Sequence, residues 1–260
     1  MIKLSSCKIP NFYKGFINGH VNSAITFMMS DEELVARLLP SKLELAPQEL
    51  TPEGKHPVYW SFNFLQDGVT TPVPCLSLTY NELAFVIPYV RFRDGRSKDA
   101  FAYPCKLPLN DLLALLGGRL FWQLTKVLAR CSVRDDFAEG GGGEFRIQRL
   151  FGREGPYITA EFENDGSSLP GAESPNFKRL VPSLNQKLVT HGLYGYQTAA
   201  FILDLKEVVI QPLTGSLETK AFVPGFSQLN HELQSINTNL MGTFQLQVDW
   251  RLKLPHWMGF

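Results

Sequence analysis

Two residues in this sequence have the type and setting for carbonyl chemistry. Lys126 is the only charged residue between Arg119 and Arg130, in the stretch RLFWQLTKVLAR. A lysine pressed into apolar surroundings loses stability in its charged form, so more of it is the neutral nucleophile near neutral pH. Such an amine condenses with a ketone, and the protonated imine then draws electrons from a neighbouring C–C or C–H bond. Glu82 lies in TYNELAFVIPYV, among mainly apolar neighbours. A carboxylate placed there is suited to moving protons. Both residues also have plainer readings. A lysine can lay its methylenes along apolar surface with the ammonium in water, and a glutamate can sit solvated near a strand end.

Other constellations are missing from the sequence. It has no G-x-S-x-G elbow and no Walker A loop, and GGGGEF does not fit a dinucleotide fingerprint. The five histidines are scattered and form no H-E-x-x-H pair, which argues against a metal site. Cys7, Cys75, Cys105 and Cys131 show no C-x-x-C spacing and read as reduced thiols of a cytoplasmic protein. Formal net charge is zero, so bulk electrostatics favour neither nucleic acid nor an anionic membrane. No apolar run is long enough to span a bilayer. Phenylalanine is abundant, at 19 residues, and fits a well-filled core, apolar pockets or subunit interfaces.

The elements that must position Lys126 and Glu82 are mostly strands. Residues 23–29, 57–65, 72–79 and 80–92 are rich in β-branched and aromatic types, as are 145–150 and 157–163. A long strand is expected over 198–212. Over 244–252 the alternation is clean, with Phe244, Leu246, Val248, Trp250 and Leu252 on one face. Helices are expected from Ser30, where Ser30 and Glu33 suggest a capping box, to Pro40. Others are expected over 109–116, closed by Gly117 and Gly118, over 119–130, and over 227–238. As a helix, 119–130 would put Trp122 and Ala129 on the face of Lys126. Residues 140–143 and 165–177 read as loops. The expected fold is one α+β domain over 1–260, a mostly antiparallel, barrel-like sheet core with a few short helices.

These residues bring the sequence close to a known family. SDEELVARLLPSKLEL (30–45), YNELAFVIP (80–88), LNDLLALLGGRLFWQLTK (109–126), SPNFKRLVP (174–182) and LTGSLE (213–218) resemble, in order and spacing, segments of acetoacetate decarboxylase and its relatives. The resemblance implies that Lys126 is the Schiff-base lysine, that Glu82 is an active-site glutamate, that no cofactor is needed, and that the protein can form a homo-oligomer. The departures are specific. Val127 stands where the family has a second lysine, and Thr125 where it tends to have proline. Val21, beside His20, aligns with an arginine suited to a substrate carboxylate, and Ser61 with a further glutamate. His20, Val21, Ser61, Leu124 and Val127 are therefore expected to contact the substrate.

The resemblance and its departures leave three functions open. One is a lysine-dependent decarboxylase or lyase, or an enzyme of related aldol or dehydration chemistry, acting on a larger apolar carbonyl substrate. Another is a cyclase or isomerase of natural-product biosynthesis that uses the same pocket without an imine. The last is a non-catalytic binding protein.

Overall fold

The computed structural model describes residues 3–4, 17–70, 73–134, 137, 142–151, 155, 157–220, 222–226 and 228–259. Cys7, Gly140 and Gly141 fall outside these. In chain order the elements are β1 (Lys3–Leu4), β2 (Ile17–Asp31), α1 (Glu32–Ala36), β3 (Leu43–Leu45), β4 (Lys55–Thr70), β5 (Val73–Phe92), β6 (Phe101–Leu109), α2 (Leu112–Trp122), β7 (Lys126–Arg134), β8 (Gly142–Arg149) and β9 (Ile158–Asn164). There follow β10 (Leu169–Pro170), α3 (Pro175–Leu184), β11 (Leu188–Gly192), β12 (Gly195–Ala199), β13 (Phe201–Leu203), β14 (Val209–Thr219), β15 (Asn230–Leu233), β16 (Thr243–Leu252) and β17 (His256–Gly259).

The fold is α+β and mostly antiparallel, as the sequence leads one to expect. Pairings run from β14 through β16, β2, β4, β5, β6, β7, β8 and β9 and return to β14. They trace a barrel-like ring without the regularity of a true barrel. Parallel pairing occurs where β6 meets β7 and β11. Parallel neighbours need a crossover, and α2 supplies it between β6 and β7.

Period-two alternation gives the strands two distinct faces. Ala24 of β2, Trp60 and Phe62 of β4, and Leu83 and Phe85 of β5 enter a core cluster with Phe145, Phe162 and Phe222. Rings interlock there: Trp60 and Phe85 lie 4.6 Å apart between centroids, and Phe62 and Phe162 lie 5.2 Å apart. Much of the phenylalanine thus serves as ordinary core. The opposite face carries Val21, Ser23, Tyr59, Ser61, Asn63, Tyr80, Glu82 and Ala84, which line a cavity. The cavity's far walls come from α2, Leu184 of α3, Leu188 of β11 and Phe201 of β13.

Several expected elements differ. Only one helix, α2, occupies 112–122, and it runs through Gly117 and Gly118 rather than ending there. It stops at Gln123, which takes the left-handed conformation at φ 49°. Residues 126–134 are a strand, because pairing with β6 and β8 satisfies their backbone and outweighs local helix propensity. Trp122 and Lys126 still share the cavity, but Ala129 joins the aromatic core. Within 227–238, residues 230–233 are β15, paired along β14. Residues 165–177 are not all loop: Ser174 caps α3, accepting from the Phe177 N–H at 3.3 Å, with Pro175 in its first turn. Ser30 belongs to β2, and the helix cap is Asp31, whose side chain makes no capping bond. The span 198–212 is broken into the end of β12, β13 and the start of β14, and Gly142 and Gly143 begin β8.

Candidate active site

Lys126 opens β7 immediately after the α2 crossover, and three local features hold it. The Arg119 guanidinium, from the last turn of α2, donates to the Lys126 carbonyl at 2.8 Å. The Thr125 hydroxyl donates to the Pro104 carbonyl at 2.9 Å. Gly118 supplies room: a Cβ there would meet Lys126 Cδ at 2.5 Å and Cε at 2.6 Å. The glycine expected to close a helix is instead the gap through which the lysine side chain passes.

Glu82 comes from β5, two strands away across β6. It pairs with Leu109 of β6 on one side and Asn63 of β4 on the other. Lys126 Nζ lies 2.5 Å from Glu82 Oε2. Both residues are buried, at 5% and 7% exposure. The ammonium also lies 5.2 Å from the centroid of the Tyr80 ring. Tyr80 precedes Glu82 by two residues, so the pleat puts both on one face.

Electrostatics correct one expectation. Burial works to lower the Lys126 pKa, but the Glu82 carboxylate and the Tyr80 phenol work the other way, and the net displacement is upward. Desolvation alone does not set this lysine; its carboxylate partner does. Burial also pushes the Tyr80 phenol up to about 12, against the pull of Lys126.

The cavity around the pair measures about 400 Å³ and is mostly apolar. Val21, Ser61 and Leu124 line it together with Lys126 and Glu82. His20 does not: it lies on the opposite face of β2, exposed, in contact with Asp249 through its ring nitrogen, beside a separate polar groove. Val127 is also directed away, at 38% exposure, because it alternates with Lys126 along β7. Neither side chain lines the Lys126 cavity. Among the described lining residues, Lys126 is the only cation.

Sequence reasoning passed over Tyr80, Ser23, Asn63 and Gly118. The alternation around Glu82 already contains the signal for Tyr80. Ser23 and Asn63 become visible only through register, since Ser23 pairs with Asn63 and Asn63 with Glu82.

Residues 10–199 match the family model for acetoacetate decarboxylase, which is most of the chain. The chain belongs to the acetoacetate decarboxylase family. No protein of curated function matches the sequence. Solved structures share the fold at low identity. Acetoacetate decarboxylase from Legionella pneumophila subsp. pneumophila str. Philadelphia 1 is 14% identical over 93% of this chain and 86% of its own, with TM-score 0.63. The enduracididine biosynthesis enzyme MppR, complexed with pyruvate, is 11% identical over 92% of this chain and 89% of its own, with TM-score 0.60. An acetoacetate decarboxylase-like enzyme from Sphingomonas wittichii RW1 is 10% identical over 97% of both chains, with TM-score 0.61.

Proposed function

We propose that this protein is a lysine-dependent enzyme that forms an imine between Lys126 and a neutral, apolar ketone or aldehyde, with Glu82 carrying the protons. The observation that carries this reading is the 2.5 Å contact between Lys126 Nζ and Glu82 Oε2 inside a buried apolar cavity.

The chemistry follows from that contact. Lys126 passes a proton to Glu82, which leaves a neutral amine beside a carboxylic acid. The amine adds to the substrate carbonyl carbon, and Glu82 returns the proton to the departing hydroxyl, which leaves as water. The product is an iminium cation facing a carboxylate, so the charge pair present before the reaction is restored. Glu82 then removes a proton from the carbon next to the iminium to give an enamine. Reprotonation of the enamine on carbon, followed by hydrolysis, releases product and lysine. At every stage the pair stays neutral overall, which suits a low-dielectric cavity.

That neutrality also restricts the substrate. A carboxylate would add a buried negative charge with Lys126 already engaged, and an unpaired buried ion costs several kcal/mol. Aldol, retro-aldol, dehydration or isomerisation steps of an uncharged substrate fit better than loss of CO₂ from a small keto acid. MppR, one of the enzymes sharing the fold, is also described in complex with the condensation product of pyruvate and imidazole 4-carboxaldehyde. That a carbonyl condensation product binds an enzyme of the same fold supports this reading.

A second reading rests on the upward displacement of Lys126. A lysine held as ammonium by Glu82 and Tyr80 can orient a substrate for cyclisation without an imine. Borohydride separates the two. Incubation with 2-undecanone and sodium borohydride, followed by peptide mass spectrometry, is expected to find an alkyl adduct on Lys126. An enzyme inactivated by Lys126→Ala but never trapped would favour the second reading. Tight binding without turnover of any carbonyl compound would favour a binding protein.

A further inference from the structure

The cavity wall beside Glu82 holds a compact polar group in otherwise apolar surroundings. Ser23 Oγ lies 2.8 Å from Ser61 Oγ, and each serine oxygen lies 2.7 Å from Asn63 Oδ1. The three oxygens form a triangle of mutual contacts. Asn63 Nδ2 donates to the Ser61 carbonyl at 3.1 Å, which fixes the amide with its oxygen toward the serines. Two hydroxyl protons are then available for three oxygen–oxygen contacts, so one edge always lacks a proton. In a cavity of low dielectric, such a proton-poor cluster is left incompletely satisfied. Its register neighbours on the flanking strands are Leu246, Ile25 and Ala84, none of which offers a side-chain donor, and Glu82 beside Asn63.

We propose that the Ser23–Ser61–Asn63 triangle is the binding site for a hydroxyl group of the substrate, which makes the substrate class β-hydroxy ketones with an apolar chain. A hydroxyl brings its own proton and donates it to a serine oxygen, filling a lone pair for which the cluster itself has no donor. A ketone or ether oxygen brings none. The position matches as well. Ser23, Asn63 and Glu82 are direct neighbours on β2, β4 and β5, and adjacent strands are ~4.8 Å apart. A hydroxyl two carbons from a carbonyl carbon at Lys126, together with its hydrogen bond of ~2.8 Å, reaches across about one such spacing to Ser61 on β4. An iminium at Lys126 also suits both reactions of a β-hydroxy ketone. In retro-aldol cleavage the Cα–Cβ bond breaks into the enamine while a base takes the hydroxyl proton and an aldehyde leaves. In dehydration Glu82 takes the α-proton and returns it to the β-hydroxyl, which the enamine expels as water. The inference takes from the proposed function only that the carbonyl lies at Lys126.

The test compares 4-hydroxyundecan-2-one, 4-methoxyundecan-2-one and 2-undecanone. Trp122 and Trp250 line the cavity, so stopped-flow tryptophan fluorescence reports binding before turnover. The hydroxy ketone is expected to bind about tenfold more tightly than either analogue, the size of one well-made buried hydrogen bond. In the double variant Ser23→Ala/Ser61→Ala that preference should vanish, leaving the three ketones with similar affinities. If the double variant does not fold, Ser61→Ala alone should lose most of the preference. Equal affinities for the three ketones in the native protein, or a preference untouched by the serine variants, would overturn the inference. Borohydride trapping in the same samples reads the imine separately. An adduct without hydroxyl preference removes only this inference, and hydroxyl preference without an adduct removes only the imine.

Discussion

The two faces of β2, β4 and β5 are built from alternate residues of the same strands, yet one is packed solid and the other is hollow. On the packed face Trp60, Phe62 and Phe85 are fully buried at 0% exposure and interlock with Phe145 and Phe162. On the hollow face the neighbouring positions are Ser61, Asn63, Glu82 and Ala84, whose side chains are smaller or polar. Size sets the difference, since a row of rings fills the space between layers and a row of short side chains leaves a cavity. The consequence for chemistry is direct. The aromatic face gives the scaffold the rigidity and packing energy that offset the cost of burying a charge pair on the hollow face.

The contrast can be broken from either side. Phe62→Ala on the packed face should destabilise the protein by about 3–5 kcal/mol, read from urea unfolding. Ala84→Leu on the hollow face should cost about 1 kcal/mol or less, because its new atoms enter open space, yet weaken ketone binding about tenfold. Similar stability costs for the two would mean that the cavity is not open in solution.

Gly118→Ala tests the passage of the lysine side chain. Its methyl group would overlap Lys126 Cδ and Cε, so Lys126 must shift. Borohydride trapping should slow by ~10- to 100-fold, with little change in unfolding. Unchanged trapping would show that the lysine has another route into the cavity.

Glu82→Gln tests what sets the charge on Lys126. With Glu82 present the lysine pKa is displaced upward. Neutral amine then accumulates only in the alkaline range, and trapping should keep accelerating above pH 8. The sign for stability is the same. The pair's contribution is complete below the unfolded lysine's pKa of about 10.4 and is lost as pH rises through the higher folded value. In Glu82→Gln burial acts without its main opponent, so the pH profile of trapping should move to lower pH. A profile that stays in place would show that Glu82 does not control the amine. The smallest effect is expected for Val127→Ala, which faces outward. It should change stability by less than about 0.5 kcal/mol and leave trapping unaltered.

How much of this was legible in the sequence depended on whether local pattern and tertiary pairing agreed. The alternation over 244–252 lies within β16, and YNELAFVIP lies within β5, because burial on strand faces leaves a direct period-two trace. RLFWQLTKVLAR misled because its residue types favour helix while β6 and β8 recruit its second half into the sheet. Glycine in LLGGR looks like a helix stop, but its purpose is lateral, giving space to a side chain eight residues on. Of the serine–asparagine triangle only Ser61 has a linear signal, through its alignment with a family glutamate. Ser23, Ser61 and Asn63 are far apart in sequence or ordinary in type, and only register brings them together beside Glu82.

Exchange of carbonyl oxygen in 2-undecanone with ¹⁸O-labelled water tests the central claim most directly. Imine formation and reversal at Lys126 replace the carbonyl oxygen with one from water, faster than hydration alone, and the test needs no knowledge of the natural product. The native protein should accelerate exchange, and Lys126→Met should abolish the acceleration while retaining ketone binding by tryptophan fluorescence. Exchange at the native rate in Lys126→Met would contradict the account.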